Sequence, residues 1–215
     1  MKILEKLKKA FHIFCKLNVK YCIQFNIFRK HSGYFLPYKN SYYDIHKGAK
    51  IILNNRSIFE FNKQSTVVDP FHGLMIMEDG AQLLVNGKVI IRPGGRVAIC
   101  KNAILELESC FINVNVHLVC RVKIKIGDGT TIAPNVVIRD NEPHKILDGR
   151  HVPIKPIEIG KHVWIGTGVT ILKGVKIGDG AVIGAKSLVN KDIPAKCLAV
   201  GVPAKVIKEN IEWDY

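Results

Sequence analysis

From Ile126 onward an aliphatic residue stands at every sixth position: Ile126, Ile132 and Ile138, then, after an interruption, Ile159, Ile165, Ile171, Ile177, Ile183 and Val189. On an α-helix a step of six residues turns the side chain by about 600°, so successive aliphatics face three directions and make no stripe. On an extended chain six is even. Every one of these side chains then faces the same side of a strand, provided that the chain turns a corner once per repeat. The neighbouring positions suit tight corners. The residue after the aliphatic is small at Gly127, Ala133, Gly160, Gly166, Gly178 and Gly184, and the fifth of the repeat is small or β-branched at Thr130, Val136, Val163, Val169, Val175, Ala181 and Ser187. A short fixed period marks a solenoid in which each coil buries its inner surface on the next. The spacing predicts a mainly β chain wound as a prism.

The rhythm breaks once. Upstream spacing predicts repeat positions at 132, 138 and 144, whereas counting back in sixes from Ile159 gives 153 and 147. Three extra residues are therefore expected between Ile138 and Leu147, and a close-packed prism can absorb them only by pushing a loop outward, near 139–147. That stretch, "IRDNEPHKIL", carries acids, a proline and His144. A histidine with a solution pKa near ~6.5 suits proton transfer at neutral pH, and loops on rigid scaffolds are where chemistry is usually mounted.

Before Lys50 the texture differs. Residues 3–28 set Leu4, Leu7, Phe11, Phe14 and Leu17 at three- and four-residue steps with lysines between them, an amphipathic helix pattern. Residues 1–50 carry a run of lysines and arginines against only Glu5 and Asp44. From about Lys50, alternations such as "AQLLVNGKVIIRPGGRVAI", punctuated by Asn86-Gly87 and Pro93-Gly94-Gly95, read as strands and turns. The expected organisation is a basic, partly helical segment over 1–50, a β-helix domain over 51–208 with its inserted loop, and a tail over 209–215.

Composition bounds the partners. With 47% hydrophobic and 23% charged residues the chain can bury a core, and its formal charge of +14 implies an anionic partner. No finger, helix-turn-helix or aromatic RNA-binding pattern accompanies the charge, and "GDGAVIGAKS" lacks the strand-turn-helix context of a phosphate loop. Six cysteines (Cys15, Cys22, Cys100, Cys110, Cys120 and Cys197) include no C-x-x-C pair, so they read as reduced thiols and imply a cytoplasmic address. Lys16 and Lys20 interrupt the N-terminal apolar run well short of a signal-peptide core or the ~20 residues of a membrane span. A basic helix with Lys2, Lys6, Lys8 and Lys9 beside Leu7, Phe11 and Phe14 has two uses, packing on its own protein or reversible contact with the inner membrane face.

The stretches "IGDGTTIAPNVVI" and "IGKHVWIGTGVTILKGVKIGDGAVIGAKSLV" resemble the hexapeptide repeats of the left-handed parallel β-helix acyltransferases, over about residues 80–208. The continuation "NKDIPAKCLAVGVPAKVIKE" is similar to the closing segment of sugar and polysaccharide O-acetyltransferases in that superfamily. "IRDNEPHKI" also resembles their D-x-D-x-H-x-I motif, with Asp140 and His144 matching and Glu142 at the second acidic place. The resemblance implies acetyl transfer from acetyl-CoA, a co-substrate and not a resident cofactor, to a hydroxyl of a sugar or polysaccharide precursor. In it His144 acts as general base without an acyl-enzyme, and Asp140 or Glu142 steadies the imidazole. "CFINVNVHLVC" resembles the segment of galactoside and maltose acetyltransferases that supplies an asparagine beside the histidine, which is Asn113 here. Trp164, Gly166, Thr167 and Ala185 match positions that line the pantetheine arm, and Lys191 and Lys205 are candidates for the CoA phosphates on charge grounds. The same resemblance implies a homotrimer with each site formed between neighbours.

Other readings compete. His117, His144, His151 and His162 invite a zinc site like that of γ-class carbonic anhydrases, but they lack matching ligand spacing, so no metal is expected. A serine or other small-molecule O-acetyltransferase is the nearest alternative. A non-catalytic β-helix scaffold would require loss of the site residues, and these are present.

Overall fold

The computed structural model describes residues 16–26, 32–64, 71–144, 147 and 152–214. Over these the chain winds as a left-handed parallel β-helix with three faces. Face one stacks Lys123–Ile126 on Ile157–Ile159 and Lys176–Ile177. Face two stacks the end of Ile104–Ile112 on Thr130–Ile132, Trp164–Ile165, Val182–Ile183 and Leu198–Gly201. Face three is a seven-stranded parallel sheet from Ser41–Ile45 to Leu188–Val189. The sixth-position aliphatics stand in register down the inside. Ile126 pairs with Ile159 and then Ile177, Ile132 with Ile165 and then Ile183, and Ile138 with Ile171 and then Val189. All nine are buried, and burying each favours the fold by about 1.5–3 kcal/mol over leaving it exposed.

The residue after the aliphatic is small on faces one and two, and close packing requires it. A Cβ on Gly178 would stand 2.4 Å from the backbone nitrogen of Ala195 in the next coil, a distance no side chain tolerates. Upstream the corners are looser. Gln82–Ile91 is one strand that bends at Gly87 (φ 112°), with a register shift against Ile104–Ile112 at that point. Asn86-Gly87 is therefore a prism corner within a strand and not the turn between two strands that the sequence suggested.

Parallel pairing starts earlier than residue 51. Tyr34–Pro37 pairs with Lys50–Phe61, and Ser41–Ile45 pairs with Gly73–Met77, so the first coil lies within the segment expected to be a separate basic module. Its apolar alternation is short and interrupted by Pro37 and Asn40, which hides it from a periodicity count. The amphipathic helix expected over 3–28 also breaks. Lys16 is helical, but Leu17 then bridges Tyr38, Asn18 donates its N–H to the Pro37 carbonyl (2.7 Å), and a separate short helix runs over Val19–Asn26. Leu4, Leu7, Phe11 and Phe14 lie outside the described residues, as do Lys2, Lys6, Lys8 and Lys9. No described helix is long and apolar enough to cross a membrane.

The helix Val19–Asn26 closes the open end of the prism. Phe25 is buried among Phe35 and Tyr43, and the Asn26 amide acts as one more strand residue, donating to the Phe35 carbonyl (2.7 Å) and accepting from the Phe35 N–H (2.8 Å). An end coil presents unpaired backbone groups, and this amide satisfies two of them. The five described cysteines are free thiols, and burial pushes the Cys110 thiol up to about 12. Cys15 lies outside the described residues.

The interruption is larger than three residues. Ile126 pairs with Ile159, 33 positions on, whereas Ile159 pairs with Ile177, 18 positions on, so this coil carries 15 extra residues between Ile138 and Ile157. A count in sixes cannot distinguish three from 15, because the two differ by two whole repeats. Leu147, expected as a repeat position, is 94% exposed.

Candidate active site

The expected site residues distribute over two corners of the prism. At the corner between faces two and three, consecutive coils stack Asn113, Ala133, Gly166 and Gly184 in one file. The Asn113 N–H donates to the Ile132 carbonyl (2.9 Å), that of Ala133 to Ile165 (2.9 Å) and that of Gly166 to Ile183 (2.8 Å). A Cβ on Gly166 would meet the Ala185 nitrogen at 2.7 Å, so Thr167 and Ala185 are held on closely packed neighbouring corners.

Beside this file runs a groove of ≈ 580 Å³ along the outside of face two. Trp164, Val182 and Leu198 stand in register along its floor, and Gly166, Thr167 and Ala185 form one bank. All four residues matched to the pantetheine positions thus share one apolar trough. The lysine that lines it is Lys208, at the end of the antiparallel strand Ala204–Lys208; Lys205 on that strand and Lys191 at another corner are exposed and lie outside the lining. The second bank was not expected. It is the C-terminal segment Ile211–Trp213, with Trp213 5.9 Å from Trp164 between ring centroids.

The loop leaves from the other edge of face three, after Val137–Arg139. Its neck is laced across by the Asn141–Ile154 bridge, by the Glu142 N–H to the Pro153 carbonyl (2.8 Å) and by the Lys155 N–H to the Asp140 carbonyl (3.0 Å). Arg139 clamps the same point, donating from Nε to the Asn141 carbonyl (3.1 Å). Glu142 pairs with Lys173. His144 follows two residues later and is exposed.

Asp140, expected beside the imidazole, points inward instead and is fully buried. Its Oδ1 accepts from the Arg121 N–H (2.7 Å), and its Oδ2 from those of Val122 (2.7 Å) and Lys123 (2.9 Å), so both oxygens are spent on the preceding coil's corner. Burial raises its pKa above the ordinary carboxylate value, and the three backbone donors offset only part of that rise. Asn113 and His144, expected side by side, leave the prism at different corners. Of the four histidines, His117 sits on the outside of face three, where burial and then the Arg96 charge hold its pKa low, and His162 is at the corner between faces one and two. His151 lies outside the described residues, and among those described no three His, Cys, Asp or Glu side chains group closely enough to hold a metal ion.

A left-handed prism whose coils are made of three six-residue sides, with a trough along one face and a histidine-bearing loop at a corner, defines the hexapeptide-repeat class of acyltransferases. The family described as bacterial transferase hexapeptide (six repeats) matches residues 156–191. A hexapeptide-repeat-containing acetyltransferase of Vibrio cholerae O1 biovar eltor, solved with acetyl coenzyme A, is 30% identical with a TM-score of 0.53, over 60% of this chain and 72% of that one. The chain belongs to the hexapeptide-repeat acetyltransferases. The galactoside O-acetyltransferase of Escherichia coli (strain K12) is 44% identical over 102 residues, 46% of this chain and 50% of that protein. From the same strain, the putative lipopolysaccharide biosynthesis O-acetyl transferase WbbJ is 34% identical over 124 residues, 52% of this chain and 63% of that protein. The chain therefore spans between half and two thirds of these curated relatives.

Proposed function

We propose that the chain transfers an acetyl group from acetyl-CoA to a hydroxyl of a sugar or polysaccharide precursor. The observation that carries this reading is the trough on face two, where Trp164, Gly166, Thr167 and Ala185 form a floor and a bank suited to a thin, largely apolar arm. His144 takes the proton of the acceptor hydroxyl as its oxygen attacks the thioester carbonyl. The C–S bond then breaks, and the CoA thiolate leaves and recovers a proton from the imidazolium. A neutral hydroxyl is a poor nucleophile at pH 7, which is why a positioned base is needed. Asn113, on the same corner as one bank of the trough, would donate from its side-chain NH₂ to the acceptor or to the developing oxyanion, its Oδ1 being taken by the Val114 N–H. Asp140 acts on the chemistry only through the neck, leaving Glu142 as the carboxylate nearer the imidazole in sequence.

The test is direct. Purified chain given acetyl-CoA and a panel of sugars is expected to release free thiol only with a hydroxyl acceptor present. A serine-dependent release with every sugar inert would favour the small-molecule alternative and overturn the sugar reading.

Assembly completes the site. The loop and the trough lie at opposite edges of face three, so His144 of one protomer is proposed to meet the trough of the next in a homotrimer. The outer rows support this. Face one presents Glu106, Lys125, Glu158 and Lys176 in register, a charged, solvated surface. Face two presents Phe111, Thr131, Trp164, Val182 and Leu198, and face three presents Val137, Thr170 and Leu188 below His117. Two unlike apolar faces and one charged face are what a ring of three prisms with heterologous contacts requires. Light scattering is expected to give a trimer mass; a monomer that remains active at micromolar concentration would overturn the shared site.

A further inference from the structure

The geometry points to the C-terminal segment as part of the donor site: Trp213, latched onto His162, is the second wall against which the acetyl-CoA arm lies. This rests on the trough being the donor site. The latch is specific. The two rings stack with centroids 4.0 Å apart and planes 4° from parallel, and Trp213 Nε1 donates to the His162 carbonyl (3.0 Å). His162 Nε2 lies 2.9 Å from the Trp213 carbonyl, which can only accept, so that nitrogen carries the proton. The segment is also pinned lower down, where the Ile211 N–H donates to the Lys196 carbonyl (2.9 Å).

His162 stands at a corner position that takes positive φ throughout the prism, with φ 51° here, 68–70° at Gly129, Gly168 and Gly180, and 54–62° at Asn135, Lys186 and Lys196. What sets His162 apart from these is its ring, which gives Trp213 a flat surface to stack on. Removing the segment would leave the trough with one bank. Trp164, 45% exposed, would then lose the aromatic neighbour that bounds its far side.

CoA itself is the probe. With Trp164→Phe, Trp213 is the sole tryptophan, and its emission is expected to change saturably as CoA is added. Trp213→Ala is expected to weaken CoA binding about tenfold and to raise the KM for acetyl-CoA without raising that for the acceptor, because a flat apolar wall is lost. Trp213→Phe keeps a ring at the wall and is expected to recover most of the affinity, which separates this role from general unfolding. If Trp213→Ala and a chain ending at Lys208 bind CoA as tightly as the wild type while Ala185→Trp does not, the wall is overturned and the trough stands. If Ala185→Trp binds CoA normally, the trough reading falls and the wall falls with it.

Discussion

Replacing His144 with alanine is expected to lower kcat at saturating acceptor by ~10²- to 10⁴-fold, the range for loss of a positioned general base. Folding should be untouched. His144 is exposed and lies beyond the laced neck, so its removal takes no contact from the prism core. CoA affinity should also persist, because the trough runs along face two and the loop leaves from the far edge of face three. A stronger form of the test mixes two defective proteins. In a ring where each site takes its base from one protomer and its trough from the next, equal amounts of His144→Ala and Ala185→Trp should regain about a quarter of the wild-type rate after subunit exchange. Ala185 is exposed on a corner, so the bulky side chain enters the trough and not the core. No recovery on mixing would place base and trough in the same protomer. Near wild-type kcat for His144→Ala alone would remove it from the chemistry.

The coils from Ile126 to Val189 were legible because a regular prism imposes one apolar residue per side, and that constraint survives in sequence as a count. The upstream coils follow the same physics with different arithmetic. Leu118 pairs with Ile138 over 20 positions, Val97 with Leu118 over 21 and Met75 with Val97 over 22. Bends inside long strands take up the surplus, so no fixed period remains to be read. The first coil, from Tyr34, was missed for that reason.

At the site, four residues that line the trough were legible only through the resemblance, which matched Trp164, Gly166, Thr167 and Ala185 to pantetheine positions. Trp213 was not, because the tail has no periodicity and reaches His162 only through the closed fold. Its one visible signal was a tryptophan in a short polar terminus, where a large apolar ring has to find a surface to cover. Asp140 shows the opposite failure: a motif match records which residue type is present but not which way it faces.

Asp140→Asn is therefore expected to act on stability first. The carboxylate receives three backbone N–H groups on two oxygens, with the residue fully buried. An asparagine offers one oxygen, and its NH₂ must face at least one donor of Arg121, Val122 or Lys123. Leaving a buried donor unmatched costs about 1–3 kcal/mol, and opposing a second donor adds to it, so a loss of about 3 kcal/mol and a Tm lower by about 6–12 °C are expected for a chain of this size. The pH dependence has a definite sign. Because burial lifts the folded pKa of Asp140 above its unfolded value, the folded state holds this proton longer, and the group's contribution to stability declines as pH rises through the carboxylate range. Asn cannot titrate, so the variant should lose that decline while remaining less stable at neutral pH. Thermal melts from acid to neutral pH measure both effects. A variant within about 2 °C of the wild type across that range would show that the neck does not need the carboxylate. Asp140 would then have to be reconsidered as a partner of His144, since its inward geometry would no longer be its reason for being acidic.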